Sequence, residues 1–138
     1  MKVTRFLIVD DDTEDQELFI DAVREVDPSI ECISALNGEE ALTLLREDSP
    51  ALPDYIFMDL NMPGLNGVQC LSEIKKMQYL QHIPVLIYTT SNWTRNKEET
   101  RRLGADHFFT KPVRFRDICS YISTILVEFP PASSGSTP

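Results

Sequence analysis

Three runs of unbroken apolar residues, Phe6-Leu7-Ile8-Val9, Tyr55-Ile56-Phe57-Met58 and Val85-Leu86-Ile87-Tyr88, end abruptly at Asp10, Asp59 and Thr89 respectively. Strands that are apolar on both sides of the pleat belong in a parallel sheet covered on both faces. The alternating segment Ile30 to Ala35 and the short His107-Phe108-Phe109-Thr110, which stops before Lys111-Pro112, bring the candidate strands to five. Between them the period changes to that of a helix. Leu18, Phe19, Ala22, Val23 and Val26 form one stripe, closed by Asp27-Pro28, and Val68, Leu71, Ile74 and Met77 form another. Phe115, Ile118, Cys119, Ile122, Ile125 and Leu126 define a helix near the end. A further helix opens at Asn37-Gly38-Glu39-Glu40, where Asn37 can cap and the glutamates suit the positive end of the helix dipole. One more, from about Thr94 to Leu103, stops at Gly104, which suits the left-handed residue after a helix.

Strand and helix thus alternate five times. The pattern predicts an α/β fold: a doubly wound five-stranded parallel sheet, flavodoxin-like, with strand order 2-1-3-4-5 and five helices. In such sheets the ligand sits at the carboxyl ends of the strands, so every polar residue that ends a strand becomes a site candidate. The 138 residues suit one domain, since a chain of this size buries roughly 68–70% of its unfolded surface but has no room for a second core. Residues 1–128 are expected to form that domain. Residues 129–138, rich in Pro, Ser and Gly, are expected to be a flexible tail. No stretch approaches the ~20 apolar residues that span a bilayer, and no cleavage site follows the start, so a cytoplasmic location is expected. Cys32, Cys70 and Cys119 are odd in number, widely spaced and set among apolar neighbours. They predict small core residues rather than a disulfide frame or a zinc site.

Charge changes the picture more than composition does. The 22 acidic and 13 basic residues give a net charge of −9, which argues against a nucleic-acid backbone or an anionic membrane as partner. Yet the run Asp10-Asp11-Asp12-Thr13-Glu14-Asp15 alone contributes −5, leaving −4 for the rest. Crowded like charges call for neutralisation. A hard cation such as Mg²⁺ supplies it through one or two carboxylates and several waters; a solvated first turn of a helix is the plainer reading, and Asp12, Glu14 and Asp15 fit it in any case. Asp59 ends the third strand, which neighbours the first in the expected order and so comes beside Asp10 and Asp11. A carboxylate beside a metal can attack phosphorus to give an acyl phosphate. Thr89 offers a hydroxyl and Lys111 a point charge at two further strand ends. Singly these residues are ordinary caps and solvated charges; jointly, four of five strands end in groups suited to a metal-bound phosphoryl group.

The chain resembles a response-regulator receiver domain of two-component signalling, similar to stand-alone chemotaxis-type regulators. Val9-Asp10-Asp11, Met58-Asp59-Leu60-Asn61-Met62-Pro63-Gly64, Tyr88-Thr89-Thr90-Ser91 and Phe109-Thr110-Lys111-Pro112 carry the resemblance, which covers about residues 3 to 128. The separations of 30 residues from Asp59 to Thr89 and 22 from Thr89 to Lys111 are usual for that family. Asp11 to Asp59 is longer than in compact members, and the segment Glu47 to Pro53 is expected to absorb the excess as a surface loop.

The resemblance implies that Asp59 accepts a phosphoryl group from a histidine kinase or phosphotransfer protein. It further implies that Asp10, Asp11, Asp59 and the Asn61 backbone carbonyl hold Mg²⁺ or Mn²⁺, and that Lys111 neutralises the transferring oxygens. Thr89 would turn to the phosphoryl group and Phe108 would swing inward, a packing switch because Phe lacks a hydroxyl. Asn61 and Ser91 occupy positions that tune acyl-phosphate lifetime, and Lys111-Pro112 is expected to be cis. The output face would be the fourth helix, fifth strand and fifth helix, with Trp93 and Tyr121 as contacts. It would bind a separate downstream protein, the domain being a monomer or weak dimer that catalyses only its own phosphorylation and dephosphorylation. Two alternatives remain at this point. A haloacid-dehalogenase-like Mg²⁺ phosphohydrolase also uses a strand-end Asp, but Glu14 stands where its D-x-D-x-T/V signature needs Thr or Val. The other is a receiver-like module that binds partners without phosphate.

Overall fold

The computed structural model describes residues 3–62, 64–90 and 94–130, the side chains of 94–96 excepted. Five strands, β1 (Arg5–Val9), β2 (Glu31–Ala35), β3 (Tyr55–Met58), β4 (Val85–Thr89) and β5 (His107–Thr110), alternate with five helices. The helices are α1 (Thr13–Val26), α2 (Gly38–Leu44), α3 (Gly67–Lys76), α4 (Thr94–Arg102) and α5 (Phe115–Glu128). The sheet is parallel throughout, in the expected order β2-β1-β3-β4-β5.

Strand alternation explains the unbroken apolar runs. Leu7, Val9, Ile56, Met58, Val85 and Ile87 pack on one face with Leu71 and Ile74 of α3. Phe6, Ile8, Tyr55, Phe57, Leu86 and Tyr88 pack on the other, under Phe19 of α1 and Ile122 of α5. Each fully buried side chain of this size is worth about 1.5–3 kcal/mol. The second face is rich in rings; Tyr88, Phe109 and Tyr121 stack with centroids 3.7–6.2 Å apart. Phe129, just beyond α5, packs against it, and its carbonyl accepts the Tyr55 hydroxyl.

Several expectations are corrected. β2 starts at Glu31, and a single 3-10 turn at Gln78–Leu80 precedes β4. Leu18 and Phe115 are 43% and 40% exposed rather than core. The buried stripe of α1 runs through Gln16, Phe19, Ala22 and Val23, which leaves Leu18 about 100° away from Phe19. In α5 the buried set is Ile118, Tyr121, Ile122 and Ile125, with Phe115 at its margin. Tyr121 is 4% exposed, so it belongs to the ring stack and not to the surface. Of the cysteines only Cys70 is fully buried; Cys32 and Cys119 are half-buried. Lys111-Pro112 is trans, as no described peptide bond is cis, and trans is the lower-energy form of an X-Pro bond by about 0.5–1 kcal/mol. The segment Glu47 to Pro53 lies between α2 and β3 outside any helix or strand, and Pro53 at its end is buried rather than on the surface. Ser91, Trp93, Pro63 and residues 131–138 of the expected tail fall outside the described residues.

Candidate functional site

The parallel ladder runs on past the strand ends. Val9 pairs with Met58, and the Asp59 amide then donates to the Val9 carbonyl at 2.9 Å while the Asp10 amide donates to the Ala35 carbonyl at 3.0 Å. Asp10 and Asp59 are thereby side by side because their strands are. On the far side Thr89 pairs with Thr110, and the Lys111 amide donates to the Thr89 carbonyl at 2.7 Å. Asp12 caps α1 by accepting from the amides of Glu14 and Asp15, so the acidic run turns at once into a helix and stays at the sheet edge.

Carboxylate oxygens of Asp10, Asp11 and Asp59 all lie within 4.8 Å of one another. Asp10 and Asp59 are buried and Asp11 is exposed. Lys111 Nζ, itself only 7% exposed, donates to Asp10 at 2.6 Å, Asp15 at 2.9 Å and Asp59 at 3.3 Å. It also lies 5.9 Å from the centroid of the Tyr88 ring. Three hydrogen bonds use all three donors of the ammonium. The Asn61 amide donates to Asp59 Oδ1 at 3.3 Å. Thr89 is fully buried at the end of β4, and Phe108 is half-buried on β5, against the α3 side of the core.

Burial first, then the neighbouring charge of Asp59, outweighs the pull of Lys111 and holds the Asp10 carboxyl up at about 6. Burial alone would lower Lys111, but its bonds to Asp10 and Asp15 and the charge of Asp59 raise it above the ordinary lysine range. Asp10, Asp15 and Asp59 surround a single lysine and Asp11 lies beside two of them, so the four acids and Lys111 together carry a formal −3. Three hard oxygen donors in that under-neutralised setting fit a small divalent cation.

Three contributors were not legible as such in the sequence. Asp15, read there as a first-turn acid, is a direct partner of Lys111. Gln16 Nε2 donates to the carbonyls of Asp10 and Ala35 at 2.8 Å each, holding the start of the acidic loop against β2. Gly67 opens α3 directly behind the site; a Cβ there would lie 2.3 Å from the Asp59 carbonyl oxygen and 2.7 Å from Leu60 Cα. The polar Gln16 at a helix position in phase with Phe19 and Val23 is the one available signal among these.

A family model described as the response regulator receiver domain matches residues 6–123. The chain belongs to the response-regulator receiver family. This receiver domain is 32% identical over 124 residues to the protein PilH of Pseudomonas aeruginosa, covering 90% of this chain and 98% of that one. Its fold resembles that of the phosphorylated cyanobacterial phytochrome response regulator RcpA, with a TM-score of 0.85, 25% identity and 99% of each chain covered. A Mn²⁺-bound form of the response regulator Rcp1 matches with a TM-score of 0.78 at 26% identity, over 98% of this chain and 97% of that one. The acidic cluster of the receiver domain fits divalent metal binding of the kind that second structure carries. No helix among the described residues is long and apolar enough to cross a membrane.

Proposed function

We propose that this receiver domain accepts a phosphoryl group on Asp59 from a phosphohistidine of a sensor kinase or phosphotransfer protein, and passes the event on through its protein-binding surface. The observation that carries this reading is the meeting of Asp10, Asp11 and Asp59 within 4.8 Å around a lysine that bonds two of them. An Oδ atom of Asp59 attacks phosphorus, the P–N bond of the donor breaks, and its electron pair returns to the leaving imidazole. Asp10, Asp11, Asp59 and the carbonyl of Asn61 would hold Mg²⁺ or Mn²⁺, which supplies positive charge to the transferring oxygens. Lys111 stays within reach of Asp59 and adds its own charge. The half-buried state of Phe108 supports its role as the packing element that follows a turn of Thr89, and α4, β5 and α5 would form the output face. Asn61 and Ser91 would set how long the acyl phosphate survives.

Incubation with a labelled small phosphodonor and Mg²⁺ tests the assignment. Label is expected on the wild type and on none of the Asp59→Asn protein. Label lost in Asp10→Asn but kept in Asp59→Asn would instead support a hydrolase that uses the first strand end. Beryllofluoride with Mg²⁺ should shift NMR signals around Thr89 and Phe108; signals unmoved at saturation would remove the switch.

A further inference from the structure

The ammonium of Lys111 is fully committed. Its three donors go to Asp10 at 2.6 Å, Asp15 at 2.9 Å and Asp59 at 3.3 Å, so a phosphoryl oxygen can be met only by exchanging one of these bonds. Two of the three acceptors have a second claim on them. Asp59 is the attacking group in the phosphoryl-acceptor reading, and Asp10 shares with Asp11 and Asp59 the cluster whose oxygens lie within 4.8 Å of one another. Asp15 stands outside that cluster. Its bond to Lys111 is the one that neither phosphorus nor a cation draws away.

Asp15 is also held in place from two sides. Its amide donates to Asp12 Oδ1 at 3.1 Å in the first turn of α1. The buried Gln16 beside it ties that turn to the sheet: its amide donates to the Asp12 carbonyl at 3.0 Å, and its Nε2 donates to the carbonyls of Asp10 and Ala35 at the ends of β1 and β2. A short carboxylate on an anchored turn thus faces a lysine on a flexible four-carbon stem. The Asp15 side chain is 35% exposed, against 5% and 9% for Asp10 and Asp59, so it grips the ammonium from the solvent side of the site.

We propose that Asp15 is a positioning residue for phosphoryl transfer, keeping the Lys111 ammonium beside Asp59 while the donor released by Asp59 turns to a phosphoryl oxygen. This deepens the phosphoryl-acceptor reading and rests on it. The bond exchanged is the longest of the three, to Asp59 Oδ2, and the Asp15 bond persists throughout. A mere bystander carboxylate would repel an anionic phosphodonor, and its removal would speed the reaction. Removal of a positioning residue slows it, since a misplacement of about 1 Å can cost about 100-fold. The two roles therefore differ in the sign of the effect.

The test measures the rate at which the full chain takes label from phosphoramidate at saturating Mg²⁺. The bond from Asp59 Oδ to phosphorus forms as the P–N bond breaks, and the nitrogen leaves as ammonia with the electron pair of that bond. Asp15→Leu is expected to be labelled about tenfold more slowly than wild type. Asp15→Glu, which keeps the charge on the same turn, should return close to the wild-type rate. In Lys111→Met the leucine substitution should make little further difference, because a residue that acts through the lysine has nothing left to place. Circular dichroism checks folding, and the isosteric Asp15→Asn, also expected to be slower than wild type, replaces any leucine variant that unfolds. An equal or faster rate in Asp15→Leu, a loss that glutamate does not repair, or the same fold-loss with and without Lys111 would each overturn the role. With a labelled wild type these results overturn the role alone; a wild type that takes no label overturns phosphoryl acceptance and the role together.

Discussion

Asp10→Asn should make the metal-free protein more stable, although it removes half of the shortest ion pair in the site. Asn is isosteric with the neutral acid and can keep the bond that Asp10 Oδ1 accepts from the Asp12 amide at 2.9 Å. The Nδ2 of that Asn is a donor where Oδ2 accepted from Lys111 at 2.6 Å, so Lys111 turns to its remaining partners, Asp15 and Asp59. What the substitution removes is a buried charge whose folded pKa of about 6 stands above its ordinary 3.8 even with Lys111 beside it. Because the folded value is the higher one, this group favours the fold fully below about pH 3.8, and that contribution is lost as pH rises through 6. At about 1.36 kcal/mol per pKa unit the ionised side chain costs about 3 kcal/mol above pH 6, and the neutral variant avoids that cost. For a chain of this length the gain corresponds to about 10 °C in Tm. Thermal melts in EDTA from pH 4 to 8 measure it: the two proteins should coincide at the acid end and separate as pH rises. Saturating Mg²⁺ should then narrow the gap, because the wild type gains about 2.7 kcal/mol at one hundred times its Kd and the variant gains less. A variant less stable than wild type in EDTA at pH 7.5, or a difference that ignores pH, would refute the electrostatic account of the site.

Lys111→Met should cost about 3–5 kcal/mol in EDTA, the usual penalty for breaking a buried pair, and Mg²⁺ should restore more stability to it than to wild type. Urea melts with and without the ion decide this. Gly67→Ala should cost about 1–3 kcal/mol, the usual range for overpacking, because the new methyl meets the Asp59 backbone rather than a flexible side chain. Mg²⁺ titration should show weaker binding as Asp59 is displaced; a fully stable variant with normal affinity would contradict the contact. Tyr121→Phe should gain about 1 kcal/mol in urea melts, since the buried hydroxyl has no hydrogen-bond partner among the described residues. Loss of stability there would mean the hydroxyl is engaged after all.

β1, β3 and β4 were legible because burial on both faces restricts them to apolar residues, and their ends were legible because polar residues interrupt that burial. Asp10, Asp59, Thr89 and Lys111 all announced themselves in this way, and parallel register then brought them together. What stayed hidden depends on where helices sit around their own axes. Leu18 and Phe115 look like core in a list of apolar spacings, but a rotation of about 100° decides whether a side chain faces the sheet or water. The same rotation aims Asp15 at Lys111 instead of solvent. Gly67 was silent for a different reason, since an absent side chain leaves no pattern and its importance lies in the Asp59 backbone behind it. Tyr121 could be read either way, as its ring prefers burial and its hydroxyl prefers water.

The continuation of the ladder beyond β1 and β3 divides the work among the carboxylates. Asp10 and Asp59 are anchored by main-chain bonds and by Lys111, so their positions are settled when the sheet forms and ordering them adds no entropy cost at the moment of binding. Asp11 is exposed and belongs to the loop. If the proposed metal site is right, a cation would meet two rigid ligands and one adjustable one there, and discrimination by ionic radius would fall to Asp11. Exchange of Mg²⁺ for the larger Mn²⁺ or Ca²⁺ would be accommodated there, with the two buried carboxylates as a fixed gauge.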